Sequence, residues 1–181
     1  MSLFLFNIIP SHHLRLQQRG TLLSLLAATA LLLGGCGSAR TSMVTPDPAP
    51  QPVASLAIQK DPSTIGLQVD TALLHTFEET LRAELINRKG FRQGADLTLR
   101  YRAVSGNPGS RSGRFWLGLS VGEGDVVMRI DLAKADGTVV MTMDVTGTVT
   151  GGWLGGSYAI AFEQAAEETA RVVKQTYALH P

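Results

Sequence analysis

Three segments in the second half of the chain alternate apolar and polar residues with a period of two. Because successive side chains of a strand point to opposite faces, each segment predicts a strand with one buried and one exposed face. Asp136 and Gly137 separate the last two segments, and an Asp-Gly pair between alternating runs is a strong hairpin signal. We therefore expect an antiparallel sheet with one dry face. The predicted inward residues are Leu97, Leu99 and Tyr101, then Val126, Met128, Ile130 and Leu132, then Val139, Met141, Met143 and Val145.

Two other segments have the spacing of amphipathic helices. Asp70 or Thr71 can cap a first helix that ends near Gly90, and a second helix runs from about residue 157 to 178. A short apolar run at residues 53–59 is compatible with one more strand. Because only one sheet face is dry, both helices should pack on it. The predicted fold is α+β, a two-layer sandwich with a mainly antiparallel sheet of three to four strands and two helices on one face. The apolar helix positions are Leu74, Phe77, Leu81 and Leu85, then Ala159, Phe162, Ala166, Val173 and Tyr177.

The N-terminal segment has the features of a secretory signal. Arg15 and Arg19 precede an apolar core at residues 21–33, which at about 13 residues is short for a bilayer core of about 30 Å. A membrane-anchoring helix is the alternative. The four residues 33–36 resemble the lipobox of bacterial lipoproteins, which implies cleavage before Cys36 and acylation of that residue. We expect residues 1–35 to be a lipoprotein signal peptide. In enterobacterial lipoproteins, which this segment resembles, aspartate after the lipidated cysteine retains the protein in the inner membrane. By that resemblance, Gly37 favours the outer membrane, with the domain facing the periplasm.

The segment after Cys36 is rich in proline, serine, threonine and alanine. Residues 36–52 contain Pro46, Pro48, Pro50 and Pro52 and show no apolar periodicity. Such a composition is typical of an extended, semi-rigid linker. We therefore expect residues 36–52 to be a tether and residues 53–181 to be a single folded periplasmic domain.

Two glycine-rich segments, residues 105–125 and 150–156, each contain the sequence Trp-Leu-Gly. If the strands around the Asp136–Gly137 turn are antiparallel, both segments lie at the opposite end of the sheet. Loops with aromatic side chains on a rigid scaffold are common binding surfaces. We expect this surface to bind an envelope protein partner or a second copy of the chain; the alternative is that the tryptophans close the end of the core. The candidate partner-binding residues are Phe115, Trp116, Leu117, Trp153 and Leu154.

The second glycine-rich segment opens a helix and therefore has a further interpretation. Gly152, Gly155, Gly156 and Ser157 could bind an anion through backbone N–H groups at the helix start. The alternative is that Ser157 simply caps the helix.

Catalytic and metal sites are not expected. Gly118, Ser120 and Gly122 match the nucleophile elbow of serine hydrolases, with Asp144 and His180 in hydrolase order. The serine precedes a strand rather than a helix, and His180 is the penultimate residue. We therefore expect no catalytic residues, no enzyme activity, no metal and no cofactor. The single cysteine also excludes a disulfide within the chain and a zinc site built from cysteines.

The charge distribution leaves two interpretations. The formal net charge of +1 gives no reason to expect nucleic-acid binding. Residues 82–114, however, contain eight basic side chains against Glu84 and Asp96. They could form a surface for an anionic small ligand, a wall polymer or a lipid headgroup. Alternatively, they pair across strands, for instance Arg100 or Arg102 with Asp131.

A further set of residues, spread over the predicted domain, supports a resemblance to known proteins. These are residues 81–85, 89–91, 95–97, Gly118, Gly122, Gly124, 135–137 and 165–166. Through them the mature domain, residues 53–173, resembles a family of short proteobacterial lipoproteins catalogued as a domain of unknown function, number forty-four ten. At fold level it is also similar to small periplasmic domains of lipoproteins that serve envelope assemblies. The first family has no assigned catalytic residues, so the resemblance implies a non-catalytic outer-membrane lipoprotein that binds another envelope protein or itself.

Overall fold

The computed structural model describes residues 37–62, 69–88, 90–109, 123–150 and 157–178. The chain separates into two units, Met1–Gly34 and Gly35–Pro181, and all described residues belong to the second. Among the described residues, no helix combines the length and apolar composition needed to span a bilayer. The elements are β1 (Gly37–Thr45), β2 (Ser55–Lys60), α1 (Thr71–Arg82) with a following π-helical turn (Ala83–Asn87), β3 (Arg92–Gln93), β4 (Leu97–Asn107), β5 (Gly124–Lys134), β6 (Val139–Val149) and α2 (Ala159–Tyr177).

The strands form one mixed sheet in the order β1-β6-β5-β4-β2-β3. β1, β6, β5 and β4 are antiparallel to their neighbours, whereas β2 is parallel to both β4 and β3. The α+β class is confirmed, but the expected number of three to four strands is wrong. β2 and β4 can be parallel because α1 lies between them in the chain and allows a crossover. β1 and β3 carry no apolar alternation, so the sequence pattern did not reveal them.

Both helices contribute to one hydrophobic core with the dry face of the sheet. The ring centroids of Phe77 on α1 and Tyr101 on β4 are 5.1 Å apart. The predicted inward residues are buried, with one exception. Val139 is 49% exposed. The pairing of β5 with β6 shifts between Leu132 and Ala133, beside Val139, and this irregularity interrupts the alternation there.

The local signals of the first helix and of the hairpin are confirmed. The Asp70 carboxylate accepts a hydrogen bond from the Ala72 N–H at 2.9 Å and caps α1. A Cβ atom on Gly90 would lie 2.2 Å from the Leu85 carbonyl oxygen, so only glycine fits at that helix end. Gly137 has a φ of 86° in the β5–β6 turn, a conformation that favours glycine.

The segment expected to be a tether is part of the folded domain. β1 pairs with β6 from Gly37, opposite Val149, to Thr45, opposite Thr142. After β1, the Tyr177 hydroxyl at the end of α2 donates a hydrogen bond to the Asp47 carboxylate at 2.8 Å. The folded domain therefore already includes Gly37 and does not begin near residue 53. An edge strand can form from backbone hydrogen bonds to a single neighbour, so it needs no apolar alternation.

Candidate functional site

The strands that flank the two tryptophan-containing segments end on the same side of the sheet, which we call the loop end. Asn107, at the end of β4, pairs with Asp125 of β5. Gly124, at the start of β5, pairs with Val149 at the end of β6. The expectation that both segments leave the sheet at one end is confirmed for these flanking residues. The candidate partner-binding residues Phe115, Trp116, Leu117, Trp153 and Leu154 lie outside the described residues.

Close contacts hold the flanks of the loop end together. A Cβ atom on Gly124 would lie 2.8 Å from the Pro108 carbonyl oxygen, so β5 begins against the chain that leaves β4. The Tyr158 hydroxyl donates a hydrogen bond to the Asp125 carbonyl oxygen at 2.7 Å. Burial raises the pKa of Tyr158, so its hydroxyl keeps its proton at neutral pH. These contacts join the start of α2 to the start of β5 and give the two segments a common base.

The first residue of β1 also lies at the loop end. Gly37 pairs with Val149, and a Cβ atom on Gly37 would lie 2.7 Å from side-chain atoms of both Ile160 and Gln164. Gly37 is therefore packed tightly between β6 and α2. Cys36, the expected lipidation residue, lies outside the described residues, but a single peptide bond joins it to Gly37.

Of the four candidate anion-binding residues, the structure describes only Ser157. Its hydroxyl accepts a hydrogen bond from the Ala159 N–H at 3.3 Å, and its carbonyl oxygen accepts one from the Ile160 N–H at 3.1 Å. Ser157 thus contacts the first turn of α2, whereas the N-cap position itself is Tyr158, whose side chain makes no capping hydrogen bond. Gly152, Gly155 and Gly156 lie outside the described residues.

The sheet face away from the helices, which we call the open face, carries ion pairs between strands. Arg102 of β4 forms ion pairs with Asp131 of β5, at 3.1 Å, and with Asp61. Arg129 of β5 donates two hydrogen bonds to Asp144 of β6, at 2.8 and 2.7 Å. The hydrogen bonds that Arg129 donates to the Asp144 carboxylate raise the pKa of the Arg129 guanidinium. The expected cross-strand pairing with Asp131 is confirmed for Arg102.

Two other arginines on the open face remain available to an anion. Arg40 of β1 lies opposite Thr146, and Arg100 of β4 lies opposite Asp131. Within the described part of the chain, neither guanidinium forms an ion pair. The open face therefore keeps two exposed or half-exposed positive charges.

The structure describes two residues that were considered for a hydrolase or metal site, Asp144 and His75, and each contacts a side chain outside such a site. Asp144 is bound by Arg129, whereas Ser120 and His180 lie outside the described residues. His75 is exposed on α1, with its Nε2 atom 3.4 Å from the Glu79 carboxylate. In the described ranges, no group of three or more histidine, cysteine, aspartate or glutamate side chains could hold a metal ion.

The sequence analysis missed two features at opposite edges of the sheet. Met43, Val44 and Val139 are large apolar side chains that are 44%, 52% and 49% exposed. A cleft of about 290 Å³ lies between β2, α1 and the π-helical turn. An irregular pairing and a short edge strand create these features, and neither has a periodic signal in the sequence.

Comparison with known proteins gives only distant structural likenesses. No protein-family model matches the chain, and no curated protein matches it. One similar solved structure is the PelC dodecamer from Paraburkholderia phytofirmans in space group P6, at 18% identity and a TM-score of 0.48. Another is a dodecamer of PelC with one leucine-to-methionine substitution, from the same organism in space group C2, at 22% identity and a TM-score of 0.42. Each likeness covers 80% of this chain and 100% of the other. At these values, neither structure establishes the family or the assembly of this chain, and the resemblance to the lipoprotein family numbered forty-four ten stays a prediction.

Proposed function

We propose that the protein is a non-catalytic lipoprotein of the outer membrane. Its lipidated Cys36 would anchor it, and its periplasmic domain would bind another envelope protein or a second copy of itself. The single observation that carries this proposal is the position of β1, which begins one residue after Cys36 and is already part of the sheet.

The position of β1 has a direct consequence for an acylated Cys36. Each buried CH₂ group of an acyl chain contributes about 0.8 kcal/mol to membrane binding, so several chains would hold the protein firmly. Gly37 is fixed between β6 and α2, which leaves no spacer between the anchor and the sheet. The anchor would therefore hold the loop end close to the membrane surface.

Several described carboxylates have roles within the fold, which supports the non-catalytic part of the proposal. Asp131 and Asp144 are engaged by arginines of neighbouring strands, and Glu78 accepts a hydrogen bond from the Tyr101 hydroxyl at 2.6 Å. These groups join elements of the fold to one another.

The edge strand β1 supports association with another protein. It has nine residues, and within the described residues its only strand neighbour is β6. A free edge presents unpaired backbone N–H and C=O groups, which are a common site for strand addition. A partner or a second copy can therefore bind without any change in the core.

Lipid labelling tests the proposal. Cells that produce the full chain would be grown with radiolabelled palmitate, with Cys36→Ser as the variant and Ser38→Ala as the matched control. We expect label and membrane association in the wild type and the control, and neither in Cys36→Ser. Label that persists in Cys36→Ser would contradict the proposed anchor.

Arg40 and Arg100 support a second candidate function, the binding of an anionic small ligand, wall polymer or lipid headgroup. Neither guanidinium has a carboxylate partner among the described residues. Under this alternative, a double substitution of both arginines by alanine should abolish binding to wall fragments or anionic vesicles, and added salt should weaken binding. Unchanged binding in the double variant would contradict it.

A further inference from the structure

Within the described part of the chain, the β2 edge of the sheet is uncovered over most of its length. β3 pairs with only the first two residues of β2, because the chain turns after Gln93 and crosses the start of β2 to enter β4. Two hydrogen bonds fix this turn: the Ser55 N–H donates to the Asp96 carboxylate at 3.0 Å, and the Asp96 N–H donates to the Ser55 hydroxyl at 3.2 Å. β3 therefore ends early, and no described strand lies beside residues 57–60 on this side.

The uncovered part of β2 presents backbone groups that can accept another strand. The Gly94 N–H donates a hydrogen bond to the Leu56 carbonyl oxygen at 3.3 Å, so Leu56 directs its backbone groups toward β3. Every second residue of a strand directs its backbone groups to the same side, so Ile58 and Lys60 direct theirs to the same edge. Within the described residues, neither has a backbone partner there. Their N–H and C=O groups are the groups that an added strand requires.

A cleft between β2 and the first helix lies beside this edge, and we call it the β2 cleft. It has a volume of about 290 Å³, and apolar side chains of Leu56, Ile58 and Ile86 form part of its lining, together with Arg82 and Gln93. Residues that lie opposite each other in neighbouring strands share a face of the sheet. The residue of an added strand opposite Ile58 would therefore point into the cleft, and an apolar side chain suits this lining.

The cleft beside the opposite edge, at β1, differs in its lining. It has a volume of about 310 Å³, and apart from Ala39 it is lined by polar side chains of α2, namely Gln164, Glu167, Glu168 and Arg171. Strand addition at β1 would therefore depend on backbone hydrogen bonds, whereas the β2 edge adds a pocket that selects an apolar side chain.

The charges around the β2 edge favour an acidic occupant. Three cations in this region form no ion pair within the described residues: Lys60, Arg92 and Arg100. The nearby carboxylates, in contrast, are bound by other groups of the domain: Asp61, Glu78 and Asp96. The edge therefore has an excess of positive charge, and the complementary side chains are carboxylates.

The positions of two of these cations favour a segment with alternating residues. Arg92 lies opposite Ser55, and Arg100 lies opposite Gln59, so both belong to the open face. In an added strand, the residues on either side of the one in the cleft would also point to the open face. A segment that alternates apolar and acidic residues therefore matches the cleft on one side of the sheet and the arginines on the other.

We infer that the β2 edge binds an extended acidic segment of another envelope protein as an added strand, with an apolar side chain of that segment in the β2 cleft. This inference rests on the partner binding in the proposed function and names the edge and the chemistry of the segment. Backbone hydrogen bonds give the affinity, and the cleft and the cations give the selectivity. The core needs no change, because the binding groups already lie at the edge.

Fluorescence anisotropy with a synthetic peptide tests this contact on the detergent-extracted full chain. The probe is a fluorescein-labelled octapeptide that alternates glutamate and valine. One control peptide has lysine in place of glutamate, and another has N-methyl groups on its backbone nitrogens, which remove the N–H donors. We expect the probe to bind, added salt to weaken its binding, and both controls to bind about tenfold more weakly or less. No binding of the probe, or equal binding of either control, would overturn the inference.

Two substitutions of one residue test the strand addition itself. Lys60→Pro and Lys60→Ala both remove the charge of this exposed residue, but only proline removes the N–H group at the free edge. Lys60→Pro should bind the probe about tenfold more weakly than Lys60→Ala. Circular dichroism melting should show both variants folded, because that N–H group has no partner in the described fold. Equal binding by the two folded variants would refute an added strand.

Two further variants locate the cleft and the charge. Gln93→Trp should fill the β2 cleft and weaken binding by about tenfold, whereas Ala72→Trp, at an exposed position on α1, is the matched control. Arg92→Ala should weaken binding and reduce its dependence on salt, whereas Arg171→Ala, at an exposed position on α2, should bind like the wild type. Unchanged binding in either Gln93→Trp or Arg92→Ala would contradict the inferred contact.

A second copy of this chain is the other occupant that the experiment must distinguish. Sedimentation of the detergent-extracted wild type and of Lys60→Pro measures this. Equal sedimentation of the two supports a segment of another protein as the occupant. A multimeric wild type beside a monomeric Lys60→Pro would mean that a second copy occupies the edge, and the inference would be wrong.

The two proposals fail separately. Palmitate label on a chain that binds no peptide would remove the contact and leave the anchor. Peptide binding by a chain that incorporates no palmitate would remove the anchor and leave the contact.

Discussion

Replacing Gly147 with alanine should destabilise the domain, because α2 crosses β6 at this residue with almost no space between the backbones. Gly147 is on the buried side of β6, between Val145 and Val149. A Cβ atom there would lie 1.8 Å from the Ala161 carbonyl oxygen and 3.0 Å from the Ala165 Cβ atom. No rotamer change can relieve a contact with backbone, so α2 itself would have to move.

The size of this effect follows from the distance. A carbon atom and a carbonyl oxygen normally approach to about 3.3 Å, so the start of α2 would need to retreat by about 1.5 Å. Overpacking of a core typically costs about 1–3 kcal/mol, and a backbone obstacle places Gly147→Ala near the upper value. For a domain of about 140 residues, a loss of about 3 kcal/mol lowers the Tm by about 10 °C.

Thermal melting followed by circular dichroism measures this loss. Thr146→Ala is the matched control, because Thr146 is the adjacent residue on the open face and is only half-buried. We expect the control to melt within about 2 °C of the wild type. If Gly147→Ala also melted within about 2 °C of the wild type, α2 would not be held against β6 as the structure shows, and the reasoning would be refuted.

Two other predictions concern hydrogen bonds that join distant parts of the fold. The hydrogen bond from the Tyr101 hydroxyl, together with Arg82, lowers the pKa of the Glu78 carboxyl. The stabilisation is therefore fully present above the unfolded pKa of about 4.3 and is lost as the pH falls through the lower folded pKa. Glu78→Gln should reduce the acid dependence of the urea midpoint, and an unchanged dependence would contradict this cause. Tyr177→Phe removes the hydroxyl that donates a hydrogen bond to Asp47. This variant should lower the free energy of unfolding by about 1 kcal/mol, measured by urea titration. An unchanged free energy of unfolding would mean that this hydrogen bond does not hold the 46–52 segment.

The part of the fold that the sequence predicted correctly is the part whose burial follows a local period. Leu97, Leu99 and Tyr101 are buried because alternate residues of a central strand face the helices, whatever the identity of the neighbouring strands. The caps of α1 were likewise readable, because Asp70 and Gly90 act on backbone groups a few residues away.

The parts that were missed depend on contacts between residues far apart in the chain. β1 forms because β6, about a hundred residues later, offers its free edge. The proline-rich segment after β1 has the composition of a linker, yet the Tyr177 hydroxyl, 130 residues away in the sequence, holds Asp47. Neither contact leaves a periodic pattern in residues 37–52, so composition alone gave the wrong boundary.

In the candidate site, too, the features that follow a local pattern were predicted, and those that depend on contacts between distant residues were missed. The position of Asn107, Gly124 and Val149 at one end of the sheet followed from the hairpin at Gly137, because antiparallel strands must return to the same end of the sheet. The exposure of Val139 did not follow, because the alternation of β6 assigned Val139 to the core. Only the shifted pairing beside Ala133 exposes it.

The proposed anchor limits how copies of the chain could associate, through the direction of β1. If copies associate side by side in one orientation, every Gly37 lies at the same end of the assembly, because each β1 runs away from its own loop end. Every acylated Cys36 could then enter a single membrane. A contact with a twofold axis perpendicular to the strands would instead point neighbouring anchors in opposite directions, and one membrane could not accept both. Anchoring through a residue with no spacer therefore favours self-association with all copies in one orientation over such a twofold dimer.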